Sequence, residues 1–293
     1  MNPSDQSTPR AVIVISSHVA RGTVGNRAAV FALETLGFPV WAVPTVTLPW
    51  HPGHGRATRI VPPDDAFAAF MKDLESAPWL GEVAAVLSGY LGSPAQAATV
   101  ASLVEAVRAR NPRALYLCDP VMGDKGGLYV PESLAEELRD RLVPLADIAT
   151  PNRYELEWIC GRSLDTLAAL TDAARGAGPS SMLVTSAPSL LVGSIGSLLV
   201  TADSAMIAEH RVIEPAPHGL GDLTAAVFLA RTLSGIAPVK ALQSTTAAVF
   251  EILARTMKRG ADELTLETDA ESLSHPMAMV QTRYLSQPRG RRM

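Results

Sequence analysis

The segment Pro217-His218-Gly219-Leu220-Gly221-Asp222 places two glycines and a carboxylate directly before an apolar, alanine-rich run with helical potential. Glycine lets other atoms approach the backbone closely. Free amides at a helix N-terminus, together with the positive end of the helix dipole, form an anion site. A carboxylate is out of keeping with simple anion binding. It suits a base that takes a proton from a hydroxyl while the amides hold a phosphoryl group in transfer. The competing reading is a turn with Asp222 as the helix N-cap. The pattern is not a dinucleotide fingerprint, because Thr224 stands at the third glycine position and the segment lies in the last third of the chain. No Gly-x4-Gly-Lys-Ser/Thr segment occurs, which excludes a P-loop.

Other polar residues gather just after short apolar runs: Ser16, Ser17, Tyr90, Asp119, Asn152, Glu155, Thr185 and Ser186. Each has a plain structural reading. Asp119 precedes Pro120 as a turn former would, Asn152 and Glu155 have capping-box spacing, and Thr185-Ser186 could be an ordinary strand end. As a set they fit a ligand site at the carboxyl ends of parallel strands. His51-Pro-Gly-His54 lacks a third clear ligand for zinc, and His18 reads as a pocket or loop residue. Cys118 and Cys160 each sit in apolar surroundings and read as free thiols in a reducing cytosol.

These groups need a frame that delivers strand ends to one edge. Among 293 residues, 47% are hydrophobic and 5% aromatic, with Ala, Val and Leu dominant, which suits helices packed on a mostly parallel sheet. Strands are expected at 11–16, 38–43, 83–88, 114–118, 147–149 and 182–185, with a hairpin over 190–201 and 206–213. Helices are expected at about 27–36, 64–76, 94–110, 131–142, from Thr150-Pro151-Asn152 onward, and at 164–176, 222–234 and 238–257. Residues 44–63 read as a loop or small flap. The organisation is a disordered N-terminus (1–10), one α/β domain (11–260) and a C-terminal extension (261–293). The net charge of −4 argues against nucleic acid as a partner. The basic cluster Arg289, Arg291 and Arg292 reads as a solvated tail. The N-terminus lacks signal-peptide layout and no apolar run approaches membrane-spanning length, so a cytoplasmic location without membrane contact is expected.

Blocks in order along residues 11–257 resemble the pyridoxal kinase (vitamin B6 kinase) family of the ribokinase-like superfamily. They are Ser17-His18-Val19 with Gly22 and Val24-Gly25-Asn26; Thr45-Val46 with His51 and Gly53; Gly89-Tyr90; Cys118-Asp119-Pro120-Val121-Met122-Gly123-Asp124; Gly127 with Tyr129-Val130; Ala146-Asp147-Ile148; Thr150-Pro151-Asn152 with Glu155; Val184-Thr185-Ser186; and Gly219-Leu220-Gly221-Asp222. The resemblance implies a three-layer α/β/α ribokinase-like fold with a central, mostly parallel sheet and a small flap. It implies ATP-dependent phosphorylation of the 5′-hydroxyl of pyridoxal, and of pyridoxine and pyridoxamine as further candidates, in B6 salvage. Asp222 would be the base, and the amides of Gly219, Leu220 and Gly221 the anion hole. Ser17, Val19, Thr45, Val46 and Tyr90 would wall the vitamin pocket. Asp119, Thr150, Asn152, Glu155, Thr185 and Ser186 would serve ATP, with Arg211, Val212 and Ile213 near the adenine. Asp119 and Glu155 would organise Mg²⁺, partly through water, as a hard cation that prefers oxygen requires. The resemblance also admits a monovalent cation and implies a homodimer with the flap near the second subunit.

Pro44, Thr47 and Trp50 depart from residues usual in the family, and Leu220 replaces a more usual Thr or Val. The first three bear on vitamer preference; at Leu220 only the amide is needed. Two alternatives stand beside this reading: a kinase of hydroxymethylpyrimidine or another small alcohol with the same mechanism, and a non-catalytic B6- or nucleotide-binding protein.

Overall fold

The computed structural model describes residues 10–286. Residues 1–9 and the cluster Arg289, Arg291 and Arg292 lie outside the described residues. Arg10, expected within a disordered arm, is held: its amide donates to the Glu82 carbonyl and its guanidinium to the Gly37 carbonyl, each at 3.1 Å.

The first half of the chain alternates strand and helix: β1 (Ala11–Val19), α1 (Asn26–Thr35), β2 (Val40–Leu48), α2 (Asp64–Glu75), β3 (Val83–Ser88), α3 (Ala95–Arg110) and β4 (Leu115–Cys118). A two-residue hairpin, β5 (Gly123–Asp124) and β6 (Gly127–Leu128), leads to α4 (Glu132–Glu137), a π turn at Leu138–Leu142 and α5 (Val143–Leu145). The single helix expected over 131–142 is thus broken in its hydrogen-bond pattern near Pro144, which has no N–H to continue the α ladder. Then follow β7 (Ile148–Ala149), α6 (Arg153–Cys160), α7 (Leu167–Gly176), β8 (Ser181–Pro188), β9 (Ser194–Thr201), β10 (Ala205–Arg211), α8 (Leu220–Leu233), α9 (Pro238–Arg259), α10 (Glu271–Ser274) and β11 (Gln281–Ser286).

The strands form one sheet in the order β11-β10-β9-β8-β7-β4-β3-β1-β2. From β2 to β8 all pairings are parallel, and β8 to β11 pair antiparallel. Successive β1 residues feed opposite cores. Val12 and Val14 pack with α1, α8 and α9, while Ile13 and Ile15 pack with α2 and α3. A strand apolar on both faces must be covered on both, which makes the three-layer α/β/α ribokinase-like arrangement.

Two further expectations change. β2 continues through Leu48, so Pro44, Thr45 and Val46 belong to the sheet and the flap begins after them. Pro44 is tolerated because β2 is the edge strand, where no partner requires its missing N–H. The tail is also better packed than its weak pattern suggests. Leu264, Leu266 and Leu273 are buried in the α1/α8/α9 core, and β11 closes the antiparallel edge.

Candidate active site

The chain passes from β1 to β2 on one side and then to β3 on the other, so strand order reverses between β1 and β3. The carboxyl ends diverge at such a point and leave a crevice. A cavity of about 500 Å³ opens there. Ser17 and Tyr90 line it from the ends of β1 and β3, Asp119 and Thr150 from β4 and β7, Thr185 and Ser186 from β8, and Gly219, Gly221 and Asp222 from the start of α8.

The start of α8 is left open toward this cavity. Its N-cap is Gly219, at φ 95°, with no side-chain cap. The first intrahelical bond runs from the Leu223 amide to the Gly219 carbonyl at 3.0 Å, so the preceding amides have no partner within the helix. Only glycine fits at Gly219, because a Cβ would stand 2.0 Å from the Thr23 carbonyl. Asp222 is therefore not the N-cap; it sits in the first turn and faces the cavity. Gly89 lets the end of β3 pass close to β1, since a Cβ there would lie 2.6 Å from Ser16 Oγ. Enclosure by protein pushes the Asp222 carboxyl up to about 6, against the opposing pull of the Gly25 amide and its own.

Asp119 and Glu155 are buried across the cavity from α8. The Thr150 hydroxyl donates to Asp119 Oδ1 at 2.8 Å. Burial, then the charges of Glu155 and Asp222, hold the Asp119 carboxyl well above the usual carboxylate range. Glu155 is pushed up to about 8 by burial, opposed by the amides of Asn152, Met122 and Gly123. Its Oε1 accepts the Met122 amide at 3.0 Å and its Oε2 the Asn152 amide at 2.8 Å. Asn152 Oδ1 accepts the Glu155 amide at 2.9 Å, completing a capping box, and its Nδ2 donates to the Gly123 carbonyl at 2.8 Å. The capping reading of these two residues is thus correct as structure, and the same box fixes both at the cavity wall. Among the described residues, no group of three or more His, Cys, Asp or Glu side chains forms a metal cage.

Beside the main cavity lies a second, of about 250 Å³, which shares Thr185, Ser186 and Gly221 with it. Ser186 adopts φ 56° within the irregularity of β8 between Val184 and Ala187. A left-handed serine at the junction of two cavities is backbone strain held by its surroundings. Val212, Ile213 and Leu220 line this second space, whereas exposed Arg211 lines neither.

Three expected wall residues do not reach the main cavity. Val19 and Val46 are wholly buried in a small core with Val24 and Leu48. Thr45 is buried beneath the wall, where its hydroxyl donates to the Tyr90 carbonyl at 2.7 Å. Several lining residues lie outside the set expected from the sequence. Val24, Leu48, His51, Pro52, Asp124, Tyr129 and His218 line the main cavity, and His210, Thr246, Val249, Phe250 and Leu253 the second. Within the resembling blocks, Val24, His51, Asp124 and Tyr129 carried a signal. The α9 residues did not, because their spacing reads as an ordinary core stripe.

Comparison with known proteins agrees with this frame. Residues 68–267 match the family described as phosphomethylpyrimidine kinase. The chain is 39% identical over 272 residues to the pyridoxal kinase PdxY of Rubrobacter xylanophilus, covering 90% of this chain and 94% of that protein. It is 39% identical over 273 residues to the pyridoxal kinase PdxY of Leifsonia xyli, covering 90% and 96%. Among solved structures, a pyridoxal kinase from Leishmania donovani in complex with ADP and pyridoxamine superposes with a TM-score of 0.88 at 28% identity, covering 94% of this chain and 99% of that one.

Proposed function

The chain belongs to the pyridoxal kinases of the phosphomethylpyrimidine kinase family, ATP-dependent kinases of B6 vitamers, and we propose that Asp222 and the Gly219–Gly221 amides carry out its phosphoryl transfer. The observation that carries this reading is the uncapped start of α8, whose amides adjoin a carboxylate of raised pKa in one cavity. Asp222 takes the proton of the acceptor's 5′-hydroxyl as its oxygen attacks the terminal phosphorus of ATP. The amides of Gly219, Leu220 and Gly221 meet the charge on the equatorial phosphoryl oxygens. Ser17 and Tyr90 lie on the acceptor side. Thr185 and Ser186 lie between the acceptor cavity and the apolar one, where a triphosphate would bridge the two. Val212, Ile213 and the α9 wall with Phe250 suit the adenine.

The donor set fits Mg²⁺. Asp119 and Glu155 are oxygen donors whose ionisation a cation would restore. Both Glu155 oxygens already accept amides, so it would act on the cation through water, while Asp119, whose Oδ1 accepts the Thr150 hydroxyl, would be the direct oxygen donor. When bound, Mg²⁺ neutralises phosphate charge. A monovalent cation, a homodimer and a cytoplasmic location belong to the same reading. No helix of the described residues is long and apolar enough to cross a membrane.

The relatives favour a pyridine acceptor, while the family description keeps hydroxymethylpyrimidine in view. An end-point assay with ATP, Mg²⁺, the three B6 vitamers and hydroxymethylpyrimidine tests the proposal. Pyridoxal 5′-phosphate formation is the expected result. Product from hydroxymethylpyrimidine alone would reassign the acceptor, and binding without turnover would leave a non-catalytic protein.

A further inference from the structure

Phosphoryl transfer leaves a group of side chains at the cavity mouth without a task. The rings of His51 and His218 stack with centroids 3.8 Å apart and planes tilted by 31°. His51 opens the flap, and His218 directly precedes the glycine cap of α8. Gly53 is pressed against the pair, since a Cβ on it would come 2.5 Å from His218 Nε2 and 2.9 Å from His51 Nδ1. One residue further, His54 Nε2 meets Glu263 Oε1 at 2.7 Å. Glu263 Oε2 accepts the Thr23 amide at 3.1 Å and the Thr23 hydroxyl at 3.3 Å. Gly22 lies so near that a Cβ on it would come 2.6 Å from Glu263 Oε1. The Thr23 carbonyl in turn backs Gly219.

These contacts close a ring from Gly219 through His218, His51, the flap, His54, Glu263 and Thr23 back to Gly219. The ring ties the element that covers the cavity to the backbone that forms its anion hole. Both stacked imidazoles are kept neutral near pH 7. Burial, then the neighbouring His218 and His54, draws His51 down to about 4 against the pull of Glu263. Burial and His54 lower His218 against Glu263 and Asp124. The stack is thus free of like-charge repulsion at neutral pH.

We propose that His218 and Glu263 are positioning residues that lock the flap onto the anion-hole loop, so that closure over the acceptor sets the Gly219–Gly221 amides and excludes water. The inference rests on the reading of those amides as the phosphoryl site. Binding energy from the acceptor is then spent on ordering the reacting centre. Loosening the lock admits water as a rival acceptor. Its oxygen bonds to the terminal phosphorus, the bond to the ADP oxygen breaks and the water proton passes to Asp222, giving ADP and inorganic phosphate.

The test uses the full chain with pyridoxal, ATP and Mg²⁺, and follows vitamer phosphate and inorganic phosphate separately. His218→Ala is expected to raise the acceptor KM roughly five- to tenfold, with the ATP KM held within about twofold. It is also expected to raise inorganic phosphate released per vitamer phosphate formed. His218→Phe keeps a stacking ring and restores both values. Glu263→Ala, made in case His218→Ala fails to fold, shows the same pattern. Glu263→Gln, which keeps an oxygen for Thr23, shows a weaker one. An unchanged acceptor KM and phosphate ratio in a folded His218→Ala or Glu263→Ala chain overturns the lock. So does a uniform loss that His218→Phe does not restore. Full turnover in Asp222→Asn would instead strike the underlying reading of the site, so the two failures are separable.

Discussion

Two helices point their N-termini into one cavity, and each carries a carboxylate in its first turn. At α6, Asn152 and Glu155 satisfy each other's amides, and Glu155 also accepts the Met122 amide. At α8, the cap is glycine without a side-chain cap, and Asp222, held by its own amide and that of Gly25, faces the cavity. The sequence patterns are alike, an N-cap with an acid close behind, but the outcomes differ. One end is closed by its own side chains and serves as a fixed wall. The other leaves its amides open to the cavity, where a ligand can complete them. The difference separates a residue that holds the site from one that acts in it.

That distinction predicts that changes at α8 reduce rate and changes at α6 reduce metal affinity and stability. The largest effect is expected for Asp222→Asn, which removes the proton acceptor and lowers kcat roughly a hundred- to ten-thousandfold. ATP affinity, measured by calorimetry, stays close to that of the parent chain. Next is Gly219→Ala. Its left-handed backbone and the Thr23 carbonyl at 2.0 Å oppose any Cβ, so the amides shift and kcat falls about a hundredfold. Steady-state assays at saturating substrates measure this. Glu155→Gln keeps the shape of α6 but loses charge. The Mg²⁺ concentration for half-maximal rate should rise about tenfold, and an unmoved Mg²⁺ titration would break the assignment. The smallest effect is at the cap itself: Asn152→Ala should cost about 1 kcal/mol of stability in denaturant unfolding without ligands.

The sheet and its helices were legible because β1, β3 and β4 are short apolar runs and α1, α2, α6, α7 and α9 carry apolar faces at helical spacing; α3 and α8 show through length and alanine content instead. β2 runs past its expected end because Pro44 signals a break in the sequence, and only its edge position makes it acceptable. The reacting corner was legible in Gly219-Leu220-Gly221-Asp222, since glycine and carboxylate together are hard to explain by folding alone. What the sequence concealed is what folding assembles from distant parts. Thr45 supports Tyr90 from below and does not line the cavity. Phe250 lies on a stripe that looks like core. His51 and His218 meet only because the flap folds back onto the segment before α8.

The most direct test of the central claim is the pH dependence of kcat/KM for pyridoxal in the parent chain and in Asp222→Asn. The substrates' own ionisations are common to both. The free Asp222 carboxyl is raised to about 6, so its basic form is populated above that pH and lost below it. The parent profile should fall as pH drops through about 6, and the residual activity of Asp222→Asn should lack that inflection. An asparagine variant that keeps the inflection, or keeps the parent rate, would contradict Asp222 as the base.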